Sequence, residues 1–225
     1  MSKVDIIAEI GINHGGDLNK AMLMVDAAKA SGVHLVKFQH YDALKLLGKD
    51  SPYLEYAAKC QFTKAQHEHL KSYCDVMGME YMCSVFDIAD VPWVDKLVKR
   101  HKVASRMNTN VEFMRALIET EKELIVSVQN PATQSPAPHI RLMYCITKYP
   151  TPEKELQDLP CNKNMGLSSH CPSIKPSLLA VAQGANLLEH HVTFSREEEG
   201  CDMSSSITFE ELHQLNLWAN KYEVV

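Results

Sequence analysis

Eight short runs of β-branched or apolar residues alternate with helical segments along the whole chain, and that alternation is the strongest constraint on what it can fold into. Strands separated by helix-length segments pair in parallel, with each helix serving as a crossover. The strands are expected at 4–10, 33–39, 80–86, 101–105, 123–128, 140–145, 164–168 and 187–193. Eight such units predict an α/β chain closed as a (β/α)8 TIM barrel.

The helical segments carry their own punctuation. The 18–30 segment sets Leu18, Met22, Val25 and Ala28 on one face, behind Asp17 as its cap and ahead of Gly32. The 64–77 segment opens with Thr63 and Gln66 as a capping box, spaces Leu70, Tyr73, Cys74 and Met77 for one face, and stops at Gly78. Further helices are expected at 90–100, 111–120, 174–183 (with Gly184 after it) and 208–221, the last with Thr208 and Glu211 as a box. Two connections depart from the pattern. Between strands 5 and 6 stand Pro131, Pro136 and Pro138, which forbid an ordinary helix, so that crossover helix is missing or reduced and the outer ring has a gap there. The stretch 41–62 is long for a βα connection and reads equally as a lid or a surface insertion.

With 225 residues and 45% apolar content the chain can bury a sizeable core, and 1–225 is expected to be a single barrel domain. The net charge of −5 is spread over interspersed acids and bases with no Lys/Arg tract, which argues against a nucleic-acid partner or an anionic membrane surface. No run approaches a membrane span and the start does not resemble a signal peptide, so a cytoplasmic location is expected. The seven cysteines form no CxxC pair, and Cys74, Cys83 and Cys145 sit in apolar runs, which predicts packed thiols and no disulfides.

In a parallel barrel the site lies at the carboxyl ends of the strands. Polar residues end otherwise apolar strands at Glu9, Lys37, Gln39, Ser84, Lys102, Ser105, Ser168, His170 and His191. Any one of these reads equally as a rim or outer-face residue, but charges buried without partners are costly, so a set of them must converge on something. Two lysines with serine hydroxyls suit a small phosphorylated acid. His170 and His191, from neighbouring strand ends, could supply two imidazoles to one divalent ion with open positions or could be purely structural, while Cys171, Cys201 and His190 leave a zinc-like alternative. His34, His67, His69, His101, His139 and His213 have mostly surface-like contexts.

The segments AEIGINHGGDLNKA, VKFQ, SVFD, HKVAS, YPTP, GLSSH, LEHHVT and GCDMSSS follow in order over nearly the whole chain. In that order and spacing the sequence closely resembles the barrel domain of the N-acetylneuraminate (sialic acid) synthase family, which includes pseudaminic and legionaminic acid synthases. The resemblance implies a phosphoenolpyruvate-dependent transferase that forms a carbon–carbon bond with an N-acylated aminosugar aldehyde such as N-acetylmannosamine, using Mn2+ or Mg2+. It implies phosphoenolpyruvate contacts at Lys37, Ser84, Lys102, Ser105, Tyr149 and Ser168, metal ligands at His170 and His191, and a sugar-facing role for Glu9 and Asp202, with Gln39 beside them. Glu9, Lys37, Lys102 and His191 are the residues it would make catalytic.

Departures from the family pattern bear on the acceptor. Met107 stands where an acid or another polar group is usual, Ser169 replaces an aspartate, Thr147 replaces an amide-bearing residue, and SVQN replaces an STG turn. The family's antifreeze-like carboxyl-terminal domain has no counterpart after residue 221, so a homodimer or a partner chain supplying that domain is expected. Two other readings remain open: a non-catalytic homologue that binds a phosphorylated small molecule, and a metal-dependent aldolase or isomerase.

Overall fold

The computed structural model describes residues 3–220. Eight parallel strands form the barrel wall: β1 (Asp5–Gly11), β2 (Leu35–His40), β3 (Glu80–Val85), β4 (Arg100–Val103), β5 (Glu123–Val128), β6 (Ile140–Cys145), β7 (Met165–Ser169) and β8 (Leu187–Thr193). Hydrogen-bonded ladders run in the order β3-β2-β1-β8-β7-β6-β5-β4, so the barrel is closed except at the β3/β4 seam. Across that seam the Arg100 guanidinium donates to Glu80, with Nε 2.7 Å from Oε1. A ninth strand, β9 (Ile207–Thr208), adds to the upper part of β8 and has no counterpart among the expected strands.

The helices are α1 (Leu18–Ala30), α2 (Ala43–Leu47), α3 (Leu54–Cys60), α4 (Lys64–Met77), α5 (Val91–Val94), α6 (Val111–Ile118), α7 (Lys175–Ala182) and α8 (Phe209–Asn220). The predicted starts and stops hold where the sequence carried caps. Asp17 accepts from the backbone of Asn19 and Lys20, Thr63 and Gln66 form the reciprocal box, and Thr208 pairs likewise with Glu211. Gly78 ends α4 in the left-handed conformation that a side chain would disfavour.

The helix expected at 90–100 is corrected to a 3-10 turn at Ile88–Asp90 and a single turn, α5. The chain must return to the start of β4 at Arg100, and Lys122 from the neighbouring connection takes the carbonyls of Asp95 and Val98 that a longer helix would use internally. Between β5 and β6 no helix forms, as the prolines foretold, and between β6 and β7 there is only a 3-10 turn at Glu153–Leu156. An open groove of about 930 Å³ lies in this gap, lined by residues 131–138 and by Leu142, Gly166 and Leu187.

Alternation along the strands divides the core in two. Residues facing out, among them Ile6, Ala8, Val36, Tyr81, Val126, Leu142 and Leu188, pack under the helices in the main apolar cluster. Residues facing in form a separate plug of Ile7, Leu35, Met82, Ile125, Met143 and Leu187. Two positions further along the same strands the interior turns polar: Glu9, Lys37, Ser84, Ser127, Cys145 and Glu189, all buried. The apolar plug therefore floors a polar chamber at the carboxyl end of the barrel. All seven cysteines are free, and six are buried. His67 and His101 do not lie at the surface as their sequence contexts suggested: both are buried against the outer layer, His67 with Nδ1 2.7 Å from the Tyr81 hydroxyl and His101 with Nε2 2.9 Å from Asp95. Among the described residues no helix is long and apolar enough to cross a membrane.

Candidate active site

The chamber is organised around Glu189, a residue the sequence reading passed over. Its Oε2 lies 3.2 Å from Lys37 Nζ and its Oε1 lies 3.2 Å from Lys102 Nζ. The Ser168 hydroxyl donates to the same Oε1 at 2.8 Å. Lys37 also meets Glu9 at 3.2 Å and donates to the Ser84 hydroxyl at 3.2 Å, while Lys102 donates to Ser127 at 2.8 Å. Glu9 is held in turn by the Gln39 side-chain amide, 2.6 Å away. Strand register makes this possible: Glu9 stands beside Lys37 and His191, Gln39 beside Ser84, and Ser168 beside Glu189.

Charge balance follows from burial. Two ammonium groups and two carboxylates share a buried space, where an unpaired ion is expensive. Burial alone lowers the pKa of Lys37, but Glu189 and then Glu9 outweigh it and raise the value. For Lys102 burial prevails over the attraction of Glu189, and its pKa falls below the ordinary lysine value. Glu189 is buried too, yet Lys102 and Lys37 hold its carboxyl well below the usual carboxylate range. Its Oε2, like Glu9 Oε2, sits at ion-pair distance from Lys37 without hydrogen-bond geometry.

Above this layer His170 and His191 face each other from the ends of β7 and β8, with ring centroids 5.5 Å apart. His170 Nδ1 lies 2.8 Å from the Ile146 carbonyl, which can only accept, so Nδ1 carries the proton and Nε2 keeps its lone pair. Burial and the neighbouring His191 push the His170 pKa down to about 3, which keeps the ring in its neutral, ligating form. His191 Nδ1 has no hydrogen bond and lies 3.5 Å from Asp202. Two imidazoles that share an ion at about 2.0–2.1 Å have centroids roughly 5–6 Å apart, so the pair fits an open two-histidine metal site. No group of three or more metal-ligating side chains occurs among the described residues. The zinc-like alternative is not assembled: His190 turns outward, with Nε2 2.6 Å from the Ser177 hydroxyl.

The remaining expected residues ring the mouth. The Tyr149 ring lies 4.0 Å from that of His170, half exposed. Burial raises the pKa of the Cys145 thiol, and the nearby Lys102 charge partly offsets it. Met107 packs against the outer apolar cluster. The 41–62 stretch is a wall of the mouth: Tyr41, Ala57 and Cys60 pack with Ile12, Phe86 and Cys201, and the Tyr56 hydroxyl donates to the Glu199 carbonyl at 3.1 Å. Besides Glu189, sequence reading missed Ser127. Both lie two positions beyond an inward apolar residue, Leu187 and Ile125, and that period-two signal locates them.

The NeuB family profile matches residues 24–224. The chain belongs to the NeuB family. It is 29% identical to N,N'-diacetyllegionaminic acid synthase of Campylobacter jejuni, covering 96% of this chain and 75% of that one. It is likewise 29% identical to N-acetylneuraminate-9-phosphate synthase of Mus musculus, covering 93% of this chain and 67% of the mouse protein. The crystal structure of the N-acetylneuraminic acid synthetase of Leptospira borgpetersenii superposes with a TM-score of 0.85 at 26% identity, covering 97% and 83% of the two chains. The Leptospira synthetase thus shares the barrel fold with this chain.

Proposed function

We propose that this NeuB barrel condenses phosphoenolpyruvate with an N-acylated aminosugar aldehyde, giving a sialic-acid-type sugar acid and inorganic phosphate. The observation that carries the reading is the convergence of Lys37 and Lys102 on opposite oxygens of one buried carboxylate, each at 3.2 Å. Two ammonium groups so placed, with hydroxyls from Ser84, Ser127 and Ser168 around them, can take the phosphate of a three-carbon phosphorylated acid. In this reading Tyr149 contacts phosphoenolpyruvate while Glu9 and Asp202, with Gln39 beside them, face the acceptor, and the relatives named as synthases of acidic sugars support that choice of acceptor.

In this reading the chamber holds the methylene carbon of phosphoenolpyruvate against the aldehyde carbon, and a carbon–carbon bond forms between them. Water then adds at the former enol carbon, the carbon–oxygen bond to phosphate breaks, and the electron pair leaves with the phosphate. The lysine charges stabilise that departing anion. In this reading Glu9, held by Gln39 and Lys37, holds or passes the acceptor hydroxyl or water proton. A divalent ion of the manganese or magnesium kind, held by His170 and His191, would polarise the aldehyde oxygen.

A phosphate-release assay tests the proposal directly. Phosphate is expected only when phosphoenolpyruvate, metal and an N-acylated aminosugar are all present, and Lys102→Ala is expected to abolish it. Equal release in the absence of any aldehyde would rule the condensation out. Met107, packed into the apolar layer where relatives of the resembled family usually carry an acid or another polar group, favours an acceptor different from N-acetylmannosamine, which a panel of aminosugars resolves.

A further inference from the structure

The two lysines are not waiting empty for an anion. Glu189 spans them, at 3.2 Å from each ammonium group, with the Ser168 hydroxyl on the oxygen that faces Lys102. We infer that Glu189 is an internal competitor for the phosphate subsite, a built-in carboxylate that takes back Lys37 and Lys102 when phosphate leaves and so weakens retention of the inorganic product. This rests on the anion-binding reading of the chamber and goes beyond it, because it assigns a specificity role to a residue that need not touch the reacting atoms.

The geometry separates the two lysines. Lys37 keeps a second partner, Glu9, also at 3.2 Å, whereas among the described residues the ion pair of Lys102 is with Glu189. With Glu189 in place the four groups sum to no net charge, and a bare phosphate has to pull both ammonium groups away from a carboxylate already at contact distance. Without it Lys102 has no ion-pair partner among the described residues and keeps only the Ser127 hydroxyl, so an incoming anion becomes the group that stabilises its charged form. A ligand that also brings a carboxylate and an enol carbon gains contacts elsewhere in the chamber. Free phosphate has no such compensation, so the competition falls more heavily on the product than on the substrate.

Calorimetric titration of the whole chain with inorganic phosphate, and separately with phosphoenolpyruvate, tests the inference. In Glu189→Gln, which keeps the length and an acceptor for Ser168, the dissociation constant for phosphate is expected to fall tenfold or more. Affinity for phosphoenolpyruvate is expected to rise by a smaller factor. Glu189→Asp, too short to reach both lysines, should fall between, and adding Lys102→Met to Glu189→Gln should cancel the gain. If Glu189→Gln is poorly stable alone, phosphate should raise its melting temperature more than that of the unsubstituted protein. Unchanged or weaker phosphate binding in Glu189→Gln, while the unsubstituted protein still binds phosphoenolpyruvate, overturns the inference and leaves the proposed reaction standing. Binding of neither anion by any of the proteins overturns both.

Discussion

The Gln39 side-chain amide donates to Glu9 at 2.6 Å across the β1–β2 ladder, and that bond aims the carboxylate into the chamber. Glu9 Oε2 already meets Lys37, so Gln39 controls the other oxygen. Replacing Gln39 with Leu leaves the lysine pair intact but releases that oxygen. The expected result is a fall in kcat of roughly tenfold, smaller than the roughly 10²–10⁴-fold of losing the acid–base group itself because Gln39 only positions it, with KM for phosphoenolpyruvate within about twofold of the original. A large rise in that KM with unchanged kcat would place Gln39 in the anion subsite instead.

His170 and His191 give a prediction that does not depend on turnover. The Ile146 carbonyl fixes the His170 tautomer, and the ring centroids of the two histidines stand 5.5 Å apart. Manganese added to the metal-free protein should bind at one site per chain by electron paramagnetic resonance, and His170→Ala or His191→Ala should weaken it by at least the 10–100-fold typical of changes at a metal's protein surroundings. Equal manganese binding by both variants would move the ion elsewhere.

What the sequence disclosed follows from where a residue's role is local. Caps and stops were legible because Asp17, Thr63 with Gln66, Thr208 with Glu211 and Gly78 act within a few residues of themselves. Lys37 and Lys102 were legible because a charge ending an apolar strand is costly unless it serves something. Glu189 was not, since its neighbour His191 offered a more familiar chemistry and the link to Lys37 is a contact between distant segments. The 90–100 helix was overread because the carbonyl contacts of Lys122 that end it come from another crossover. His67 looked like a surface residue for the same reason: its partner Tyr81 lies on a strand, not on its own helix.

Acid should weaken the fold through its buried histidines. Burial lowers the pKa of His14 to about 4 and that of His67 to about 3, against about 6.5 in an unfolded chain. Below that upper value the unfolded state binds more protons than the folded one, so stability is complete above about 6.5 and declines as the pH falls towards 4 and 3. The melting temperature should drop steadily over that window. His67→Gln, which retains a polar partner for the Tyr81 hydroxyl but does not titrate, should flatten the acid limb even though it lowers stability at neutral pH. An unaltered slope would assign the acid sensitivity to other groups.

The β7–β8 ladder carries Ser168 alongside Glu189, and Gly166 sets how closely the two strands approach. A Cβ at Gly166 would lie 2.4 Å from the Leu187 backbone oxygen and 3.0 Å from the Leu187 Cβ. A carbonyl of an internal strand cannot rotate away without breaking its own ladder, so Gly166→Ala must push β7 from β8. The expected cost is about 1–3 kcal/mol, as for other overpacked cores, together with weaker phosphoenolpyruvate binding because Ser168 moves off Glu189. Gly78→Ala provides the contrast, since open space surrounds that position and only its φ of +70° is strained. Its cost should be about 1–2 kcal/mol, with ligand affinity unchanged. If chemical denaturation and calorimetry show both variants losing stability and neither losing affinity, the spacing of β7 and β8 does not control the anion subsite.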